Sequence, residues 1–178
     1  GSYKNRNLSA VVGLKKNKTK IILYQNQSES NGYRNHSKYK QQVFNSRLWH
    51  EISDQSQIKF QFNYTKSPYA YDSGGINAQS VDENRRQARE QNVSFQTFET
   101  IDHLKTGLQW ENQINERLSL DSYAFYANRD FVGRLPFGFG GFVDLKRNYY
   151  GFGTSLEYKL KTNHRMQFRF SVADQKDH

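Results

Sequence analysis

Apolar and polar residues alternate with a period of two along most of this chain, and few folds accommodate that pattern. Met166, Phe168, Phe170 and Val172 alternate with Arg165, Gln167, Arg169 and Ser171. Ile58, Phe60, Phe62 and Tyr64 alternate with Gln57, Lys59, Gln61 and Asn63. Leu104, Thr106, Leu108 and Trp110 face away from His103, Lys105, Gly107, Gln109 and Glu111. Tyr150, Phe152, Thr154, Leu156, Tyr158 and Leu160 face away from Gly151, Gly153, Ser155, Glu157 and Lys159. Each set lies on one side of an extended strand, whereas a helix would mix them around its circumference. Leu8, Ala10, Val12 and Leu14 form a further apolar set opposite Ser9, Val11 and Gly13. Ile21 to Asn26 is short and strand-like, while Val43 to Ile52 and Leu118 to Tyr126 carry apolar residues on both faces for part of their length. The pattern predicts about eight antiparallel strands, near 3–14, 19–28, 38–51, 56–66, 96–113, 118–130, 147–160 and 164–173.

The connections alternate in length. Lys15-Lys16-Asn17-Lys18, Ser53-Asp54-Gln55, Asn115-Glu116-Arg117 and Lys161-Thr162-Asn163-His164 are tight polar turns. Between them lie long links near 29–37, 67–95 and 131–146. All short turns therefore fall at one end of the sheet and all long loops at the other, which is the asymmetry of an outer-membrane barrel. The expected strands exceed the five or six residues common in soluble sheets and suit a tilted membrane strand. Tyr24, Trp49, Tyr64, Trp110, Tyr149 and Tyr158 lie near strand ends, where aromatic residues form interfacial girdles; ordinary sheet packing also explains any one of them.

Composition narrows the choice. The apolar fraction is only 35% and the mean hydropathy −0.98, yet 15% of the residues are aromatic, which argues against disorder. A sheet with one apolar and one very polar face remains. No run of about 18 apolar residues exists, so a membrane-spanning helix is excluded, a test that does not touch barrels. Cysteine is absent, which removes disulfides and thiol chemistry. The formal charge of +9 is spread over strands, turns and loops and not gathered on one face, which argues against nucleic acid. The start, Gly1-Ser2-Tyr3-Lys4, has no signal peptide, as expected of a processed exported protein or a fragment.

Catalysis has little support. There is no Gly-rich phosphate loop, and His36, His50, His103, His164 and His178 lack partners at metal-ligand spacing, so no metal, cofactor or catalytic residue is assigned. His103 falls on the polar face with Lys105 and Glu111. In the longest loop, Ser80-x-x-Glu83 reads as a capping box opening a helix over Val81–Arg89. There Arg85, Arg86 and Arg89 would pair with Asp82, Glu83 and Glu90, or else meet an anionic ligand. The stretch Leu135-Pro136-Phe137-Gly138-Phe139-Gly140-Gly141-Phe142 exposes aromatics that either fold back on the loop or meet a ligand, a partner protein or lipopolysaccharide.

Two segments of the longest loop carry a resemblance. Ser67-Pro68-Tyr69-Ala70-Tyr71-Asp72-Ser73-Gly74-Gly75-Ile76, followed by Asn84-Arg85-Arg86-Gln87-Ala88-Arg89-Glu90-Gln91-Asn92, resembles an extracellular loop of TonB-dependent outer-membrane receptors. Gly1-Ser2-Tyr3, Asn31-Gly32-Tyr33-Arg34-Asn35-His36-Ser37 and Phe142-Val143-Asp144-Leu145-Lys146-Arg147-Asn148-Tyr149-Tyr150-Gly151 resemble other passages of that family in matching order. The resemblance implies an all-β, antiparallel transmembrane barrel, with residues 1–178 forming part of a larger barrel of about 22 strands. It implies uptake of a scarce nutrient such as a ferric chelate across a Gram-negative outer membrane. The implied partners are outer-membrane lipid, the plug domain of the same receptor, the TonB complex through a missing N-terminal part, and a small-molecule ligand such as a metal chelate.

Arg34, Tyr69, Tyr71, Arg85, Arg86, Arg134, Phe137 and Phe139 are the candidate ligand contacts, as loop residues able to meet an anionic or aromatic ligand. Neither the plug nor a terminal aromatic residue is present, so an internal piece is expected. Two rivals compete with this reading. One is a self-contained eight-stranded outer-membrane barrel with a structural or adhesive role, whose narrow interior would need acids to match Lys59, Lys105, Lys159, Arg165 and Arg169. Glu111, Asp121 and Glu157 are few for that task. The other is a soluble β-sheet binding module, which needs a second layer over its apolar face.

Overall fold

Each alternating segment folds as a strand, and every strand pairs with its neighbours in the chain. The computed structural model describes residues 1–161 and 164–178. The strands are β1 (Arg6–Lys16), β2 (Thr19–Ser30), β3 (Tyr39–Ser53), β4 (Ser56–Tyr71), β5 (Phe98–Gln113), β6 (Leu118–Arg134), β7 (Phe142–Lys161) and β8 (His164–Asp177). They form one antiparallel sheet in the order β1 to β8. The tight turns have local causes. Asn17 takes a left-handed φ of 49°, which its short polar side chain tolerates. The Asn115 Oδ1 accepts from the backbone N–H of Arg117 at 2.9 Å and of Leu118 at 3.0 Å, closing the β5–β6 turn. The turn expected at Lys161–His164 includes Thr162 and Asn163, which lie outside the described residues.

The strands run further toward the long-loop end than the alternation alone suggests. β2 reaches Ser30, β4 reaches Tyr71 and β6 reaches Arg134, while β7 begins at Phe142. The link expected near 131–146 therefore shrinks to 135–141, and those near 29–37 and 67–95 become 31–38 and 72–97. Cross-strand pairing persists through mixed residues such as Arg134 opposite Phe98, where alternation is no longer visible. At the N-terminus, β1 begins at Arg6 after a short 3-10 turn, Ser2–Lys4. The expected helix over 81–89 is also corrected. Two short helices form instead, α1 (Ala78–Asn84) and α2 (Glu90–Ser94). Asn77, not Ser80, caps α1, accepting from the Ser80 N–H at 2.8 Å. Arg85, Arg86 and Arg89 lie outside both helices, and among the described residues none of them pairs with Asp82, Glu83 or Glu90.

Register turns eight separate patterns into two faces, because directly opposed residues share a side. One row reads Leu14, Ile21, Leu48, Phe60, Leu108, Ala124, Phe152 and Val172, crossing the whole sheet without a polar residue. A row on the opposite side reads Lys15, Lys20, Trp49, Lys59, Gln109, Tyr123, Gly153 and Ser171. The polar side is concave, since Glu51 of β3 and Arg169 of β8 border one hollow of about 970 Å³. Aromatic rings close over glycines on this side. A Cβ at Gly153 would lie 2.6 Å from the Tyr123 ring, and one at Gly151 would lie 2.9 Å from the Phe125 ring.

No described residue covers the apolar side. Among the described residues no hydrophobic side chain is buried, and Phe168 is 62% exposed. Tyrosines mark the loop-side edge of the apolar band. The hydroxyls of Tyr64, Tyr126 and Tyr150 donate to Asp102 at 2.9 Å, Asn148 at 2.8 Å and Asp174 at 2.7 Å. At the turn-side edge the Trp110 indole N–H donates to Ser56 at 2.9 Å. Of the six sequence candidates for such lines, Tyr64, Trp110 and Tyr158 lie on this face. Tyr24, Trp49 and Tyr149 lie on the polar face, where the Lys20 Nζ sits 5.2 Å from the Trp49 ring and Tyr149 packs 4.9 Å from Phe125. Trp49 belongs to a segment with apolar residues on both faces, so parity alone left its side open.

Candidate functional site

Three surfaces carry concentrated polar chemistry, two set by the strand register and one by the packing of two loops. The first is the concave face. Near the turns, Glu111 forms an ion pair with Lys59 and accepts from Gln57 and Gln109, each at 3.1 Å. Gln109 also donates to Asp121 at 2.8 Å, and Arg165 faces Glu157 at 3.6 Å. Toward the loops the same face turns basic. His103, Arg129 and Arg147 are cross-strand neighbours, with Lys105 one step nearer the turns. Arg147 makes a two-pronged contact with Asp177, both distances 2.7 Å, and the Arg129 guanidinium sits 5.2 Å from the Phe131 ring. Such a wall can bind and order polar groups. Among the described residues no cluster of three His, Asp or Glu side chains is placed to hold a metal ion.

The second surface is the cap formed by the loops 31–38 and 72–97. Arg34 is its clamp: Nε donates to the Gln87 carbonyl at 3.0 Å, and Nη1 and Nη2 donate to the Gly74 and Ser73 carbonyls at 2.5 and 3.3 Å. Arg86 adds a second tie, donating to the Tyr33 carbonyl at 3.2 Å with its guanidinium 5.3 Å from the Tyr3 ring. Beneath them, Asn92 and Thr97 are each only 1% exposed. The Asn92 amide donates to the Asp72 carboxylate at 3.0 Å and carbonyl at 3.2 Å, and the Thr97 hydroxyl donates to that carbonyl at 2.7 Å. Sequence reading did not single out Asn92 or Thr97, because a polar residue buried inside a loop leaves no periodic trace.

Gly74 adjoins this centre with a left-handed φ of 64°, and a Cβ there would lie 2.3 Å from Asn92 Oδ1. Gly74→Ala is expected to open the loop locally, at about 1–3 kcal/mol for the left-handed backbone. Hydrogen exchange over 72–97 should rise in that variant and stay unchanged in Gly75→Ala, where a Cβ meets nothing within 4 Å.

The third surface lies on the outside of the sheet at its loop end. Tyr69 and Tyr71 belong to β4, and Arg134 ends β6, so these three candidates are strand residues and not loop residues. Tyr71, Phe98 and Arg134 are cross-strand partners on the same face as Leu104 and Leu108. With His36, Pro68, Val93, Gln96 and Thr100 they line an open hollow of about 550 Å³. Arg85, Phe137 and Phe139 stand apart from it as exposed loop residues, Phe139 at 99%. Of the two alternatives for this Gly-Phe loop, folding back on the loop does not describe Phe139.

No family model matches the sequence, and no curated protein matches it. Among solved structures, the chain is similar to the ferric citrate transporter FecA in its unliganded crystal form, with a TM-score of 0.79 at 15% identity. The match covers 99% of this chain and 27% of that one. In fold, this eight-stranded sheet is similar over nearly its whole length to about a quarter of that transporter.

Proposed function

We propose that this chain is an arc of the wall of a wide outer-membrane barrel, part of a TonB-dependent receptor that takes up a scarce nutrient such as a ferric chelate. The observation that carries the reading is the uncovered apolar face, a band crossing all eight strands and edged by tyrosines and Trp110. In water such a sheet has no core, and burying its apolar area in lipid supplies the missing driving force. The concave polar wall then lines a wet interior that houses the plug domain of the same receptor. The likeness to a ferric citrate transporter supports transport over catalysis. The work is binding, followed by passage gated by the plug and driven through the TonB complex, so no residue here breaks a bond.

The two rival readings fit less well. Among the described residues β1 pairs only with β2 and β8 only with β7, so the edges do not meet as in a closed eight-stranded barrel. A soluble module requires a layer over the apolar face, and α1 and α2 are short helices within a loop. Within the proposed receptor, Arg34 and Arg86 hold the loops together, while Arg85, Phe137 and Phe139 remain available to a ligand.

The test uses the intact receptor in its membrane. It is expected in the outer-membrane fraction, with heat-modifiable migration in detergent. Accumulation of a labelled ferric chelate should stop when an uncoupler collapses the proton gradient. Monomeric solubility without detergent would overturn the reading.

A further inference from the structure

Asn31 is the single asparagine of the sequence that is followed by glycine. In such a pair no side chain shields the second backbone nitrogen, which can reach the amide carbon of the asparagine. The fold requires the glycine. Gly32 has a left-handed φ of 76°, and a Cβ on it would run into the Ser37 hydroxyl. It does not require the asparagine. Asn31 is exposed, and among the described residues its side chain makes no hydrogen bond, so no contact explains the amide.

The reactive nitrogen is held in place. The Gly32 N–H donates to the Ser30 hydroxyl at 3.0 Å. Ser30 is 9% exposed, and its hydroxyl donates in turn to the Tyr3 carbonyl at 3.4 Å. The same carbonyl accepts from the Asn31 N–H at 2.9 Å. Tyr3 is gripped by the cap, its ring edge-on to Tyr33 at 5.5 Å and 5.3 Å from the Arg86 guanidinium. While these contacts stand, the Gly32 nitrogen keeps its proton and faces Ser30 rather than the Asn31 amide.

We infer that Asn31 is a self-modification site, shut while the loop cap is closed and opened when the chain of contacts through Ser30, Tyr3 and Arg86 is released. The freed, deprotonated Gly32 nitrogen forms a bond to Asn31 Cγ, the Cγ–Nδ2 bond breaks, and ammonia leaves with the proton. Water then opens the five-membered imide at either carbonyl, leaving an aspartate or an isoaspartate at position 31. Ammonia is lost and water consumed, so the atoms balance without an oxidant or a metal. In the isoaspartate the main chain runs through the former side chain and gains a methylene. That shifts Arg34, which must reach the Ser73, Gly74 and Gln87 carbonyls, so the modified cap stays loose. The gate lies wholly in the cap and operates whether or not the sheet sits in a membrane.

The experiment holds the intact protein, folded in detergent or unfolded in urea, at mildly alkaline pH and follows its tryptic peptides by mass spectrometry. Conversion at Asn31 should be fast in urea and slow in the folded protein, while Asn26, a β2 residue of the same peptide, stays an amide. Ser30→Ala should speed the folded-state reaction roughly fivefold, the worth of one ordinary hydrogen bond. Arg86→Ala should speed it as well, with hydrogen exchange in β2 and β3 unchanged. Equal rates in the folded native protein, in Ser30→Ala and in urea would overturn the gate. An Asn31 amide that survives in urea would overturn the site. Protein aged to conversion should be cut by trypsin after Arg86 and Arg89 faster than fresh protein, whereas Asn31→Gln aged alike should not. Cleavage at the same rate in all three would show that modification leaves the cap closed and would overturn its loosening.

Discussion

Leu108→Arg is expected to lower the folded, membrane-inserted fraction sharply, at a cost of about 2–4 kcal/mol for a cation near the bilayer midplane. Leu108 lies in the all-apolar row, between Phe60 and Ala124, and is 48% exposed in the sheet. Its neighbour Gln109 points the other way, into the network of Glu111 and Asp121. Gln109→Arg should therefore be nearly neutral, since the new cation finds two carboxylates and water. Heat-modifiable migration after refolding into lipid vesicles, and the urea midpoint of that transition, measure both variants. The contrast between adjacent residues is the informative quantity. If the apolar face met only water, Leu108→Arg would be a surface substitution worth within about 0.5 kcal/mol, and the two variants would behave alike. That outcome would remove the membrane from the account.

How much of this was legible in the sequence depends on what each feature leaves behind. Strands with one strictly apolar face, such as the segments around Phe60 and Phe168, announced both their conformation and their sides, because a period of two maps directly onto a pleat. The turns were legible through Asn17 and Asn115, whose side chains suit those backbones. Strand length beyond the apolar band was not legible: Tyr69, Tyr71 and Arg134 read as loop, since pairing beyond the apolar band no longer requires alternation. The side of Trp49 was lost for a related reason, with apolar residues on both faces of its segment. Among the candidate contacts, sequence marked charged and aromatic residues at the loop end of the sheet but could not say which were already engaged. Arg34 and Arg85 look alike in composition, yet the backbone carbonyls that bind Arg34 come from residues about 40 to 53 positions away.

That difference between two arginines yields the second large effect. Arg34→Ala should release the loop 72–97 from the loop 31–38 while leaving the sheet folded, because its three donors bind only loop carbonyls. Charge-assisted hydrogen bonds of this kind contribute about 1.5–3 kcal/mol each, less when they share one guanidinium. A local loss of about 3 kcal/mol raises the open fraction of the loop roughly a hundredfold. Trypsin cleavage after Arg85, Arg86 and Arg89 of the intact protein in detergent reads that fraction directly, with the urea midpoint of the sheet unchanged. Arg34→Lys should give an intermediate rate, since one ammonium cannot reach three diverging carbonyls. Arg85→Gln removes an exposed cation and should not alter cleavage at the remaining sites. Had Arg34 been a ligand contact rather than a clamp, its loss would weaken nutrient binding with native protease resistance. That result would return Arg34 to the binding surface and leave the order of the two loops to Arg86 and the buried pair Asn92 and Thr97.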